Sequence, residues 1–134
     1  MKYTAENYKY QLKEDLGVQT SVCPGWAIAD DFMRLGVSGY LTIKSGYAWD
    51  GASGPTIDTR NSMRAGLVHD ALYQLMRNGN LPQEWREAAD REFYRILRAD
   101  GMWTWRAWIW WRAVRRLAAP FARPDHRRKV LTAP

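Results

Sequence analysis

Two stretches with helical periodicity flank one short turn, and their spacing about that turn restricts how the chain can pack. The first runs through Ala65-Gly-Leu-Val-His69-Asp70-Ala-Leu-Tyr73, with Leu67, Leu72, Leu75 and Met76 as its apolar positions. The second opens on Glu87-Ala-Ala-Asp90-Arg-Glu-Phe93, where Ala89, Phe93, Ile96 and Leu97 repeat the pattern. Between them lies Arg77-Asn-Gly-Asn-Leu-Pro82. Asn78-Gly79 suits the end of one helix and Pro82 the start of the next, so the spacing predicts an antiparallel helical hairpin.

His69 and Asp90 are equally distant from Gly79–Asn80, each about ten residues, or roughly 15 Å of helix, from the bend. Residues at equal distance from such a turn face each other. Tyr73 shares a face with His69, and Asp70 lies on its flank. One histidine, two carboxylates and a phenol are therefore expected at one level of the hairpin. Imidazole accepts a proton from water near neutrality, and a carboxylate on its other nitrogen fixes the tautomer and stabilises the imidazolium. Asp90 is the candidate for that carboxylate, with Tyr73 donating to it. Asp70 points about 100° away around the helix and cannot serve the same nitrogen. It suits a hard cation such as calcium, whose remaining oxygens would come from water and a nearby loop. A lone helical histidine is more often structural than catalytic, and His69 taken singly fits the structural role better; the glycine loop, His-Asp-x-x-Tyr and Asp90 together shift the balance.

The loop in question is Trp49-Asp50-Gly51-Ala-Ser53-Gly54-Pro55, whose glycines, proline and short polar residues mark unusual backbone geometry. It either offers oxygens from Asp50, Gly51 and Gly54 to an ion or simply connects two layers. Asp58 is a further acidic candidate, and Asp58, Thr59 and Ser62 are candidate caps for the helix of His69. Upstream, Tyr8–Leu12 alternates and Val18–Val22 is β-rich, with Lys13–Gly17 as a turn, which predicts a hairpin. Trp26 to Leu35 reads as a short helix or an irregular segment, Gly39–Ile43 as a strand, and Tyr47–Trp49 as a short extended piece. No crossover helices separate these strands, so the sheet is expected to be antiparallel.

Downstream of Asp100-Gly101, five of the eight tryptophans fall between Trp103 and Trp111. Trp103, Ala107, Trp110, Trp111, Val114 and Ala118 make one helical stripe, with Arg112, Arg115 and Arg116 mainly off it. Arg106 and these three arginines leave no apolar run of membrane-spanning length. Such a helix either packs its tryptophans on the sheet or lies at a membrane interface, where indole and guanidinium groups are both accommodated. The expected fold is α+β: a small N-terminal antiparallel sheet, an antiparallel two-helix hairpin, and a third, Trp/Arg-rich amphipathic helix. Residues 1–119 form the single domain and 120–134 a basic tail.

The chain has 134 residues, enough for one core, and a formal net charge of +6, which attracts anions. Cys23 is the only cysteine, which excludes an intramolecular disulfide and a four-cysteine zinc site. The N-terminus lacks the apolar core of a signal peptide, so export by that route is not expected.

His69-Asp70-x-x-Tyr73, the Arg77–Pro82 turn and Ala89-Asp90-x-x-Phe93 resemble the catalytic hairpin of phospholipase A2, in particular its compact form in parvovirus capsid proteins. The resemblance implies that His69 activates water, Asp90 orients it, Tyr73 supports Asp90, and Asp70 with the Asp50–Gly54 loop holds Ca2+. Two departures stand out: the chain lacks the disulfides of secreted phospholipases, and its loop reads Asp50-Gly-Ala-Ser-Gly54 instead of Gly-x-Gly. Over most of residues 8–115 the chain is also similar to a phage and prophage family catalogued as a domain of unknown function. The shared motifs are Asp50-Gly-Ala-Ser-x-Pro55, His-Asp-x-Leu-Tyr and Ala-Asp-x-x-Phe. That likeness implies a location in the cytoplasm of an infected or lysogenic bacterium, or in the virion, with peripheral membrane association and phage structural proteins as further partners.

Two functions follow. One is a calcium-dependent hydrolase of lipid esters at a phospholipid membrane surface, with the Trp/Arg helix as its contact. The other is a non-enzymatic virion or lysis-associated protein that keeps the hairpin as scaffold and uses that helix for membrane or protein contact. A His-Asp metal phosphohydrolase needs more histidines than His126 supplies. Nucleic-acid binding has charge in its favour (Arg112, Arg115, Arg116, Arg123, Arg127, Arg128, Lys129) but no recognisable motif.

Overall fold

The computed structural model describes residues 1–6, 9–49 and 60–123 and is α+β, with antiparallel sheets followed by helices. The strands are β1 (Tyr3–Glu6), β2 (Lys9–Leu12), β3 (Leu16–Gln19), β4 (Ile28–Ala29), β5 (Met33–Leu35), β6 (Tyr40–Ile43) and β7 (Ala48–Trp49). They form two sheets, one in the order β1-β2-β7 and one in the order β3-β6-β5-β4.

The hairpin expected between Tyr8–Leu12 and Val18–Val22 is not formed. β2 is occupied on both edges: Tyr10 lies opposite Ala5 of β1 and opposite Trp49 of β7. β3 therefore pairs elsewhere, setting Val18 against Leu41 of β6. The segment from Trp26 to Leu35 is neither helical nor irregular throughout, because it contains β4 and β5. Asp30 turns the chain between them by accepting the Phe32 and Met33 N–H groups on Oδ1, at 2.9 and 2.7 Å. Met33 and Leu35 then point inward and Arg34 outward, as a strand with one buried face requires.

The helices are α1 (Arg60–Arg77), α2 (Arg86–Ala99) and α3 (Thr104–Leu117). From Ser62 to Arg77, α1 is buried except at Arg64 and along the stripe Asp70, Gln74 and Arg77. A helix enclosed on nearly every side is the centre of the core. Ser62, expected as a cap, is instead the third residue of α1 and fully buried, while Asp58 and Thr59 lie outside the described residues. Gly79, at φ +79°, ends α1: its N–H reaches Met76 O and that of Asn80 reaches Leu75 O, at 3.0 and 2.9 Å. This paired closure needs a left-handed residue at Gly79, which glycine takes without strain. Pro82 and a 3-10 turn at Gln83–Trp85 then lead into α2, which returns antiparallel along α1.

Val18, Met33, Leu35, Leu41 and Ile43 of the larger sheet share one buried cluster with Leu67, Leu72, Phe93 and Ile96 of the hairpin. Polar clasps join the two layers at the edges of that cluster. Glu92, buried on α2, accepts the Ser21 N–H at 2.8 Å, and Arg95 donates to Gln19 O at 2.9 Å.

α3 packs on α2, with Trp110 and Phe93 ring centroids 6.2 Å apart, and buries Ala107, Trp110, Val114 and, just past its end, Ala118. Trp103 departs from the expected stripe and is 70% exposed. It precedes α3 in extended conformation (ψ 147°), so helical periodicity does not reach it. Pro120–Ala122, expected to begin a solvated tail, lies in a 3-10 turn, Ala119–Ala122. Arg77 donates to Phe121 O at 2.9 Å and Gln83 to Ala122 O at 2.5 Å, and Ala122 is buried. Among the described residues no helix is long and apolar enough to cross a membrane.

Candidate active site

The hairpin places His69 of α1 opposite Asp90 of α2, with Nε2 2.7 Å from Oδ1. Tyr73, one turn along α1, donates its hydroxyl to the same oxygen at 2.5 Å. The histidine ring lies between two aromatic neighbours, its centroid 4.1 Å from that of Tyr73 and 5.0 Å from that of Phe93. Asp90 is fully buried, Tyr73 nearly so, and His69 retains 6% of its surface. In such surroundings an ionised carboxylate is costly unless every lone pair is engaged.

That requirement is met by two arginines that sequence spacing had not connected to the site. Arg115 of α3 donates to Asp90 Oδ2 at 2.8 Å, and the Arg86 guanidinium stands 3.9 Å from the same oxygen. Burial is the largest influence on the Asp90 carboxyl and pushes it upward. The hydrogen bonds and charge of His69, and the bonds from Tyr73 and Arg115, outweigh it and hold Asp90 below the ordinary carboxylate range. Tyr73 moves the other way: burial first, then the Asp90 charge, raises its phenol well above the usual value. It is therefore a donor and not a base at any ordinary pH.

The chemical consequence concerns the histidine tautomer. An ionised carboxylate only accepts, so it assigns a proton to Nε2 and leaves the Nδ1 lone pair. Nδ1 makes no hydrogen bond to any described residue. The set can thus hold a polarised imidazole, receive a proton on Nδ1, and stabilise the resulting cation through Asp90. Oδ1 is shared by the two α1 partners and Oδ2 by the two arginines, which divides the carboxylate between site and scaffold.

Asp70 faces a different direction. Its Oδ2 accepts from Tyr47 OH at 2.7 Å, and Oδ1 lies 4.0 Å from the Arg77 guanidinium. Its side chain is 30% exposed. Oδ1 fits one position around a hard cation, with Arg77 as a competing charge. Asp50, Gly51 and Gly54, the other candidate ligands, lie outside the described residues. Among the described residues no group of three or more histidine, cysteine or acidic side chains is placed to hold a metal.

Of the residues that spacing missed, Arg86 was within reach of it, since it precedes Asp90 by one helical turn. Arg115 was not, because only the packing of α3 on α2 brings it there. Tyr47 carried no signal either.

With this geometry in view, comparison with known proteins yields one result. Residues 26–114 match the family described as Protein of unknown function (DUF1353), and the chain belongs to that family. No curated protein and no solved structure matches it.

Proposed function

We propose that this member of the DUF1353 family is a phage-type hydrolase of lipid carboxylic esters, with His69 as general base and Asp90 and Tyr73 as the groups that orient it. The observation that carries the reading is the buried His69–Asp90 contact of 2.7 Å, with Tyr73 on the same carboxylate oxygen. Nδ1 takes a proton from water as the water oxygen attacks the ester carbonyl. The imidazolium, held through Nε2–H by Asp90, returns that proton to the departing alkoxide as the tetrahedral adduct collapses. Fatty acid and lyso-lipid are the products. Calcium, where it binds, would be held by Asp70 with Asp50, Gly51 and Gly54, and would polarise the ester carbonyl.

A second reading draws on the same burial. A histidine with 6% exposure between two aromatic rings, bonded to an acid whose oxygens are all engaged, is also how a structural network looks. In that case the hairpin is scaffold for a virion or lysis-associated protein, and α3 makes its contacts.

One assay separates them. Fatty-acid release from phospholipid is measured with calcium or chelator for the native chain, His69→Ala, Asp90→Ala and Asp70→Asn. The hydrolase reading expects release that falls at least a hundredfold in His69→Ala while circular dichroism is unchanged, together with calcium dependence lost in Asp70→Asn. Equal release by His69→Ala and the native chain removes the enzyme and leaves the scaffold.

A further inference from the structure

We propose that the outward face of α3 docks on an anionic phospholipid bilayer, with Arg112 and Arg116 engaging headgroup phosphates and Trp105, Trp108 and Ile109 entering the interface. The proposal extends the lipid-ester reading, whose substrate it would bring to the chain, and it is measurable without catalysis.

Its starting point is the side of α3 that packs on nothing. With Ala107, Trp110 and Val114 turned to the core, Trp105, Trp108, Ile109, Arg112 and Arg116 fall within about 100° of arc on the opposite side. The three apolar members are 60%, 52% and 50% exposed. Their flanks extend the patch, because Trp103 before α3 and Leu117 at its end are exposed as well. Exposed bulky groups at this density on one helix mark a contact surface.

The cations decide which contact. Arg112 and Arg116 stand one helical turn apart, and neither pairs with a carboxylate among the described residues. Like charges at that spacing repel, and an anion seated between them relieves it. Arg112 is already held, its guanidinium carbon 5.5 Å from the Trp108 ring centroid. Arg112, Ala113, Arg116 and Leu117 line an open cleft of about 440 Å³. A bilayer interface accommodates both groups on one helix face, because the long arginine side chains reach up to phosphate while indole rings sit at the headgroup boundary. The net charge of +6 favours anionic lipid over neutral.

Arg115 lies beside this face and reaches back to Asp90 at 2.8 Å, so one helix carries both the docking surface and a partner of the candidate site.

The test is co-sedimentation of the full chain with phosphatidylcholine vesicles, with and without phosphatidylglycerol, over a salt series. We expect retention on the phosphatidylglycerol vesicles that weakens as salt rises. R112Q/R116Q should lose roughly thirtyfold in affinity, from about 1 kcal/mol for each arginine at an anionic surface. W105A/W108A should lose binding at every salt concentration. All four positions are solvent-facing, and circular dichroism checks that the variants fold. Equal partition on neutral and anionic vesicles, unchanged binding by R112Q/R116Q, or preference for a DNA duplex over the vesicles would each overturn the proposal. His69→Ala should bind as the native chain does. Binding with no ester hydrolysis ends the hydrolase reading alone, and hydrolysis of a monomeric short-chain phospholipid without vesicle binding ends the docking proposal alone.

Discussion

Asp90 gathers hydrogen bonds from His69, Tyr73 and Arg115 and a nearby charge from Arg86, all on one buried carboxylate. Removing the charge strands two guanidinium groups, so Asp90→Asn should cost about 3–5 kcal/mol in urea unfolding at neutral pH. The pH dependence has a definite sign. Asp90 titrates lower in the folded chain than in the unfolded one, where a carboxyl titrates near about 3.9. The stability it contributes is complete above that value and is lost as pH falls through its folded-state value. Urea midpoints measured from neutrality down through the acid range should therefore drop in the native chain, and Asp90→Asn should flatten that drop. An equally steep acid limb in the variant would place the titration on other carboxyls. His69 and Asp90 were legible as a pair because helical rise is fixed and the turn between them is short. Arg115 was not, since its position depends on how a third element lands.

At the scale of elements, the hairpin sets the register that brings α1 and α2 into line, and Gly79 closes it at φ +79°. An alanine there pays the left-handed penalty of about 1–2 kcal/mol. Gly79→Ala should lower the thermal midpoint by several degrees while the folded fraction keeps whatever activity the native chain has. A loss of activity in folded Gly79→Ala would show that the turn itself holds the register. The strands were less legible than the helices. Their apolar alternation was visible, but β2 and β3 are each four residues long, and short strands carry little information about partners. Partner choice followed from competition: β1 and β7 took both edges of β2. β4 and β5 were hidden by their brevity, and by an Asp30 turn whose role shows only once its acceptor bonds are seen.

At the scale of the molecule, two layers are pinned by a few polar clasps around one core, and Glu92 is the most buried of these outside the candidate site. It holds the Ser21 N–H and bonds Arg95 at 2.5 Å, with 4% of its surface exposed. Glu92→Ala should cost about 1.5–3 kcal/mol, because it removes the charged acceptor of the part-buried Ser21 N–H and one of the two partners of Arg95. Denaturant unfolding checks this, and a loss below 1 kcal/mol would mean that the Glu92 clasp adds little to the joining of sheet and hairpin. The sequence by itself determined what depends on distances along the chain: the α+β order of elements, the helical hairpin, and the level at which imidazole and carboxylate meet. Helix geometry converts residue number directly into position, so those features needed no knowledge of the rest. Only the tertiary structure decided which strands pair, that α3 lies on α2, that Arg115 completes the shell of Asp90, and which face of α3 is left to solvent. Each of these is a competition among surfaces far apart in sequence, settled by the total area buried and the charges left unpaired, and no local pattern encodes its outcome.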